Sequence, residues 1–212
     1  MPRLKQIYTP EFPYHITARC HNKEWFDIPI EEVWQIMSNY LYFIHTAYKV
    51  EIHAFVLMSN HFHLIVRFPE NNMSEAMNYF MRETSRVISR GAGRINQTYG
   101  SRYFRSVIGK ANYFEHVYKY LYRNPVEAGL CNKVEDYPYS TLQIRLGLRN
   151  GVIPLVGDPL LEESSTSTLH WLNTKPREKD REAIRKGLQK PQFGLTSRSG
   201  GTFVHHLEVD PF

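Results

Sequence analysis

The sequence predicts an α+β protein of the ferredoxin-like kind, with a βαββαβ sheet and an added helix. Three observations carry this. Four short β-rich runs occur at 14–20, 50–58, 61–68 and 103–108. Two amphipathic stretches separate them in the order strand, helix, strand, strand, helix, strand. A third helical stretch follows the last strand. In this arrangement the two crossover helices share one sheet face, and the other is left for a ligand or the extra helix.

Tyr14-His15-Ile16-Thr17-Ala18-Arg19-Cys20 alternates as a first strand. Pro29 with Glu31-Glu32 opens a helix whose apolar stripe is Val33, Ile36, Met37, Tyr40, Leu41 and Ile44. Ser59-Asn60 between two β-rich runs predicts a hairpin. Ser74 reads as the N-cap of a second helix, with Met77, Phe80, Met81, Thr84 and Ile88 inward. Arg82, Arg86 and Arg90 form a ridge on its outer face. The third helix is expected over Ala111–Arg123, ended by Asn124-Pro125, because proline disfavours helix in the residue before it. A short helix is expected after Tyr137-Pro138-Tyr139-Ser140 and another within 175–190; 157–167 reads as a connector, and Ser199-Gly200-Gly201 with the end of the chain as flexible. The expected division is a main domain over 1–150 and a partly helical extension over 151–212.

The chain has 212 residues, 42% apolar and 22% charged, which excludes a wholly disordered chain. Two cysteines, Cys20 and Cys131, make neither a disulfide framework nor a zinc cluster. A reduced, cytoplasmic protein is expected, since there is no secretory h-region and no apolar run of about 18 residues. The net charge is +5, but nine basic residues against three acidic ones fall between Ser74 and Asn124. Such a local basic region points to nucleic acid.

The chemistry is carried first by His61-Phe62-His63. On a strand both imidazoles project to one face, while Phe62, Leu64, Val66 and Phe68 project to the other. Two adjacent imidazoles are half of a divalent-metal site. In the third helix Tyr120 and Asn124 share a face, on the flank of the Phe114, Val117, Tyr118 and Leu121 stripe. A tyrosine beside a metal-bound phosphate is an apt nucleophile, and Asn124 is able to offer an oxygen to the metal. Spacing alone leaves Tyr113, Tyr118 and Tyr122 as rivals, since aromatics at helical spacing are more often core. Arg19, Lys23, Arg102, Arg105, Lys110 and Arg123, near strand edges and the site helix, are the expected DNA contacts. His53 reads as structural, and His116 and His205-His206 as surface.

The run His53-Ala54-Phe55-Val56-Leu57-Met58-Ser59-Asn60-His61-Phe62-His63-Leu64-Ile65-Val66 resembles the signature of the HUH single-tyrosine transposases of the insertion-sequence-200 type. Tyr14–Arg19 is similar to that family's first strand, and Tyr120-Leu121-Tyr122-Arg123-Asn124-Pro125-Val126-Glu127-Ala128-Gly129-Leu130 resembles its nucleophile segment, in the REP-associated branch. Tyr103-Phe104-Arg105-Ser106 and Asp136-Tyr137-Pro138-Tyr139-Ser140 match two lesser patterns, so the resemblance covers about 12–145. It implies a single-stranded DNA endonuclease and strand transferase acting at hairpin-flanked sites through a 5′-phosphotyrosine. His61, His63 and Asn124 would hold Mg²⁺ or Mn²⁺, Tyr120 would attack, and the protein would act as a monomer or homodimer. Ser59 stands where the family often has proline. The competing readings are a binding module for single-stranded nucleic acid, and a phosphodiesterase that uses water.

Overall fold

A computed structural model describes residues 7–195 and 205–208. Four strands form one antiparallel sheet: β1 (Tyr14–Arg19), β2 (Glu51–Leu57), β3 (His61–Arg67) and β4 (Phe104–Val107), in the order β2-β3-β1-β4. The crossover helices are α1 (Ile30–Tyr48) and α2 (Met73–Gly91); α3 (Ala111–Glu127), α4 (Thr141–Arg145), α5 (Pro159–Asn173) and α6 (Glu178–Gly187) follow. The fold is ferredoxin-like, as the element order predicts. The helix of 175–190 forms as α6, and that after Tyr137-Pro138-Tyr139-Ser140 as α4. Ser199-Gly200-Gly201 lies outside the described residues.

Alternation sorts the sheet's side chains into two cores. Ile16, Phe55, Phe62, Leu64 and Val66 are buried with Val33, Met37, Leu41, Met77 and Phe80 of α1 and α2. Ala54, Val56 and Ile65 face the other way and are buried with Val117, Tyr118 and Leu121 of α3 and Leu161, Leu172 and Ile184 of α5 and α6. The pairing of β2 with β3 shifts between Ile52 and Ala54, leaving His53 as the extra residue of a bulge. Without it, Ile52 and Ala54 would share a face and one of them would enter the wrong core.

Three expectations are corrected. Residues 159–167 are not a connector but most of α5: the Asp158 side chain accepts from the Leu161 N–H, Pro159 occupies the first turn, and Ser164 breaks the helical dihedrals. Helix α2 starts at Met73 behind Asn72 rather than at a Ser74 cap. Helix α3 runs through Pro125 to Glu127, and the chain turns away at Gly129, whose φ is +70°. The Leu130 N–H donates to Pro125 O (2.9 Å) and the Gly129 N–H to Val126 O (3.0 Å), a Schellman ending that glycine permits without strain. Pro125 costs the helix the main-chain donor to Leu121 O. The Asn124 side-chain amide compensates, donating to Tyr120 O at 2.8 Å and lying 3.5 Å from Leu121 O.

Candidate active site

The β1–β3 register places Arg19 opposite His61 and Thr17 opposite His63, so these four project from one sheet face, with His15 beyond them. Helix α3 crosses that face. The Tyr120 ring stands perpendicular over His63, at 5.9 Å between centroids and 89°, and over His15, at 6.4 Å and 81°. His61, Tyr120 and Asn124 line one cavity of about 820 Å³.

Hydrogen bonds fix the imidazoles. The Asn60 amide nitrogen donates to Lys23 O at 2.7 Å, which turns its oxygen toward His61 Nδ1 at 2.8 Å. His61 must carry its proton on Nδ1, leaving the Nε2 lone pair for a ligand. His63 Nδ1 lies 2.9 Å from His15 Nε2, and the two rings stack at 5.1 Å. His63 Nε2 and His15 Nδ1 are buried without hydrogen-bond partners. When His63 donates to His15, its Nε2 presents a lone pair, the tautomer that metal binding needs. Burial, aided by the neighbouring imidazole of His61, pushes His15 down to about 3. Burial and Arg19 push His61 down to about 4, and His63 is held well below its usual range. All three are therefore neutral near pH 7, with no proton competing for the lone pairs. The His61 and His63 rings lie 5.0 Å apart, and an orphaned, buried imidazole nitrogen beside a second imidazole suits a divalent cation whose shell water completes.

The rival tyrosines are engaged elsewhere. Tyr118 donates to Asp158, Tyr113 donates to Glu208, and Tyr122 is 3.0 Å from the Thr141 hydroxyl. Of the four, Tyr120 alone lines the cavity. Burial holds its phenol above the usual tyrosine value, and Arg185, Arg181 and Arg19 offset only part of that rise.

The expected DNA contacts fare unequally. Arg19 lines the cavity. Arg123 does too, but it is buried and consumed: its Nε and Nη2 donate to Glu127 and its Nη1 to Leu172 O and Asn173 O. These bonds tie α3 to α5. Lys23, Arg102, Arg105 and Lys110 lie outside the cavity. Arg105 lies over the Tyr8 ring, and Lys110 pairs with Glu208 at 3.2 Å. In the outer ridge of α2, Arg82 and Arg86 both pair with Glu83, while Arg90 lines a groove beside them. The His53 ring stands edge-on to Phe114. His116 is not a surface residue: it is buried, with Nε2 2.9 Å from Leu207 O. Sequence reading missed Lys119, Arg181 and Arg185, which line the cavity from α3 and α6. Burial and Arg123 push Lys119 down to about 8, and its ammonium lies over Trp171.

The family model described as "Transposase IS200 like" matches residues 9–124. The chain belongs to the IS200-like transposase family. A putative REP-associated tyrosine transposase of Haemophilus influenzae is 27% identical over 106 residues, and a REP-associated tyrosine transposase of Escherichia coli K12 is 29% identical over 91. The matches cover 44% and 43% of this chain, and 60% and 53% of those relatives. A solved structure of a REP-associated tyrosine transposase bound to a REP hairpin superposes with a TM-score of 0.58 at 22% identity, covering 74% of this chain and 93% of that one. That likeness supports the fold. Among the described residues, no helix is long and apolar enough to cross a membrane.

Proposed function

We propose that the protein cuts and rejoins single-stranded DNA beside a hairpin, with Tyr120 as the nucleophile and His61, His63 and Asn124 holding Mg²⁺ or Mn²⁺. The observation that carries this is the Tyr120 ring standing over the buried His63, while Tyr120 itself lines one cavity with His61 and Asn124. A bound divalent ion would polarise the scissile phosphate. Asn60 holds His61 in a ligand tautomer, and His63 takes its own when it donates to His15. Because Asn124 Nδ2 is turned back onto the helix, its Oδ1 is the atom left for coordination. Arg19, Arg181 and Arg185 stabilise the Tyr120 phenolate and offset charge on the phosphate. The Tyr120 oxygen bonds to phosphorus as the bond to the 3′ oxygen breaks, giving a 5′-phosphotyrosine and a free 3′-hydroxyl. Attack by another 3′-hydroxyl reverses the step and joins strands without ATP. The named relatives, one of which is bound to a REP hairpin, support a hairpin-bearing substrate.

The test incubates the protein with labelled hairpin oligonucleotides and Mn²⁺, followed by a denaturing gel. The expected result is a covalent protein–DNA band, absent in Tyr120→Phe and weakened in His61→Ala. Cleavage that persists without a band in Tyr120→Phe would replace the tyrosine with water as nucleophile. Binding without cleavage at any hairpin would favour the binding module.

A further inference from the structure

The C-terminal turn at His206–Glu208 lies against α3 and α6. Glu208 takes the Tyr113 hydroxyl hydrogen and pairs with Lys110, and Leu207 O meets His116, so the turn is seated by contacts that involve neither His205 nor His206. Both histidines nevertheless face one carboxylate. His205 Nε2 lies 3.8 Å from Asp180 Oδ1, and His206 Nε2 lies 3.3 Å from Asp180 Oδ2. Their rings stack at 4.6 Å, and the three candidate ligand atoms lie within 4.8 Å of one another. His206 is exposed, as the surface reading expects, while His205 is half-buried. Asp180 is only 5% exposed, and its Oδ1 has no hydrogen-bond partner. A buried carboxylate oxygen without a partner calls for a cation or a donor.

We propose that Asp180, His205 and His206 form a second divalent-metal site, which clips the C-terminal turn to α6. Two imidazoles and one carboxylate are a donor set for a zinc-class transition ion rather than for Mg²⁺. The charge already beside the site belongs to Arg177, whose Nε is 3.2 Å from Asp180 Oδ2 and whose Nη2 is 3.3 Å from His206 Nε2. Its side chain is 66% exposed, so it is free to swing into solvent as the ion enters. Arg177 thus competes with the metal for the same two ligands. The site does not depend on the DNA reaction and stands whether or not Tyr120 is the nucleophile.

The test is Zn²⁺ titration by calorimetry on the full chain carrying His61→Ala and His63→Ala, which removes the paired imidazoles of the active site. We expect one Zn²⁺ per chain. Asp180→Asn and His206→Ala, each added to that background, should weaken binding by about ten-fold or more, and Arg177→Gln should tighten it. His206→Ala alters an exposed residue in the terminal turn, so it reports even where Asp180→Asn perturbs folding. Zn²⁺ should also slow carboxypeptidase trimming of the turn in the background protein but not in its His206→Ala derivative. Absence of Zn²⁺ binding in the background protein, or binding that survives both Asp180→Asn and His206→Ala, would overturn the proposal.

Discussion

Replacing His15 with phenylalanine separates two roles the residue could have. The phenyl ring keeps the stack on His63 (5.1 Å between centroids) but removes the acceptor 2.9 Å from His63 Nδ1. If that bond sets the His63 tautomer, metal affinity falls by about 10–100-fold, or about 1.4–2.8 kcal/mol. Stability should hardly move. In the parent, with His63 donating, the His15 Nδ1 proton is buried without an acceptor. In the variant the orphan is instead the His63 Nδ1 proton. One unsatisfied donor replaces another, each costing about 1–3 kcal/mol, and the lost bond, worth about 1 kcal/mol, is offset by a more apolar ring. The net change is within about 1 kcal/mol, or about 2–4 °C in Tm. Calorimetric Mn²⁺ titration and a thermal melt read the two quantities separately. His15→Gln, whose amide oxygen is an acceptor, should recover part of the affinity. Unchanged Mn²⁺ affinity in His15→Phe would refute the tautomer argument, and a large fall in Tm would make His15 a packing residue instead.

Two further outcomes follow from the burial of charge. Arg123→Met should lower unfolding stability by about 2–4 kcal/mol in urea titration, since Glu127 keeps only the more distant Arg181 and two carbonyls lose their donor; if Arg123 is structural, DNA affinity measured on the folded protein stays at the parent level. His53 is pushed down to about 4 by burial, so between about 4 and about 6.5 the unfolded chain binds a proton there that the folded chain does not. Stability is therefore full above about pH 6.5 and falls as pH drops, by up to about 1.4 kcal/mol per unit from this residue. Urea midpoints from neutral to acid pH should fall less steeply in His53→Phe; an equal slope would show that His53 titrates normally in the fold.

The parts of this protein legible in the sequence are those set by short-range period. Alternation alone puts His61 and His63 on one face and Phe62, Leu64 and Val66 on the other, and the two cores obey it. The same alternation would have placed His15, Thr17 and Arg19 on a single face, so His15 carried a readable signal once β1 was known to lie beside β3. The bulge at His53 had none, because an extra residue is defined only against a partner strand. The end of α3 was misread for a related reason. A proline rule describes the backbone alone, whereas here Asn124 supplies a donor and Gly129 makes the stop. Asp158-Pro159 with Glu162 was an N-terminal helix signal for α5, obscured by the polar composition that follows it.

What no local rule reaches is the fate of a charged side chain whose partners lie far along the chain. Arg123 is buried because two carbonyls at 172 and 173 come to it, and Arg181 and Arg185 reach the Tyr120 cavity because α6 packs on α3. The imidazole pair, Tyr120 and Asn124 all fall within the family match at 9–124, yet much of the opposite cavity wall comes from 170–185. The match thus covers the residues that would perform the transfer but not those that enclose it. A single-stranded substrate is read largely by contacts to its backbone and by stacking on aromatic rings. Trp171, Arg181 and Arg185 offer both, on the segment beyond the shared core. If the proposed reaction holds, the choice of substrate is therefore a property to seek in α5 and α6, by exchanging those helices between relatives while leaving His61, His63, Tyr120 and Asn124 in place.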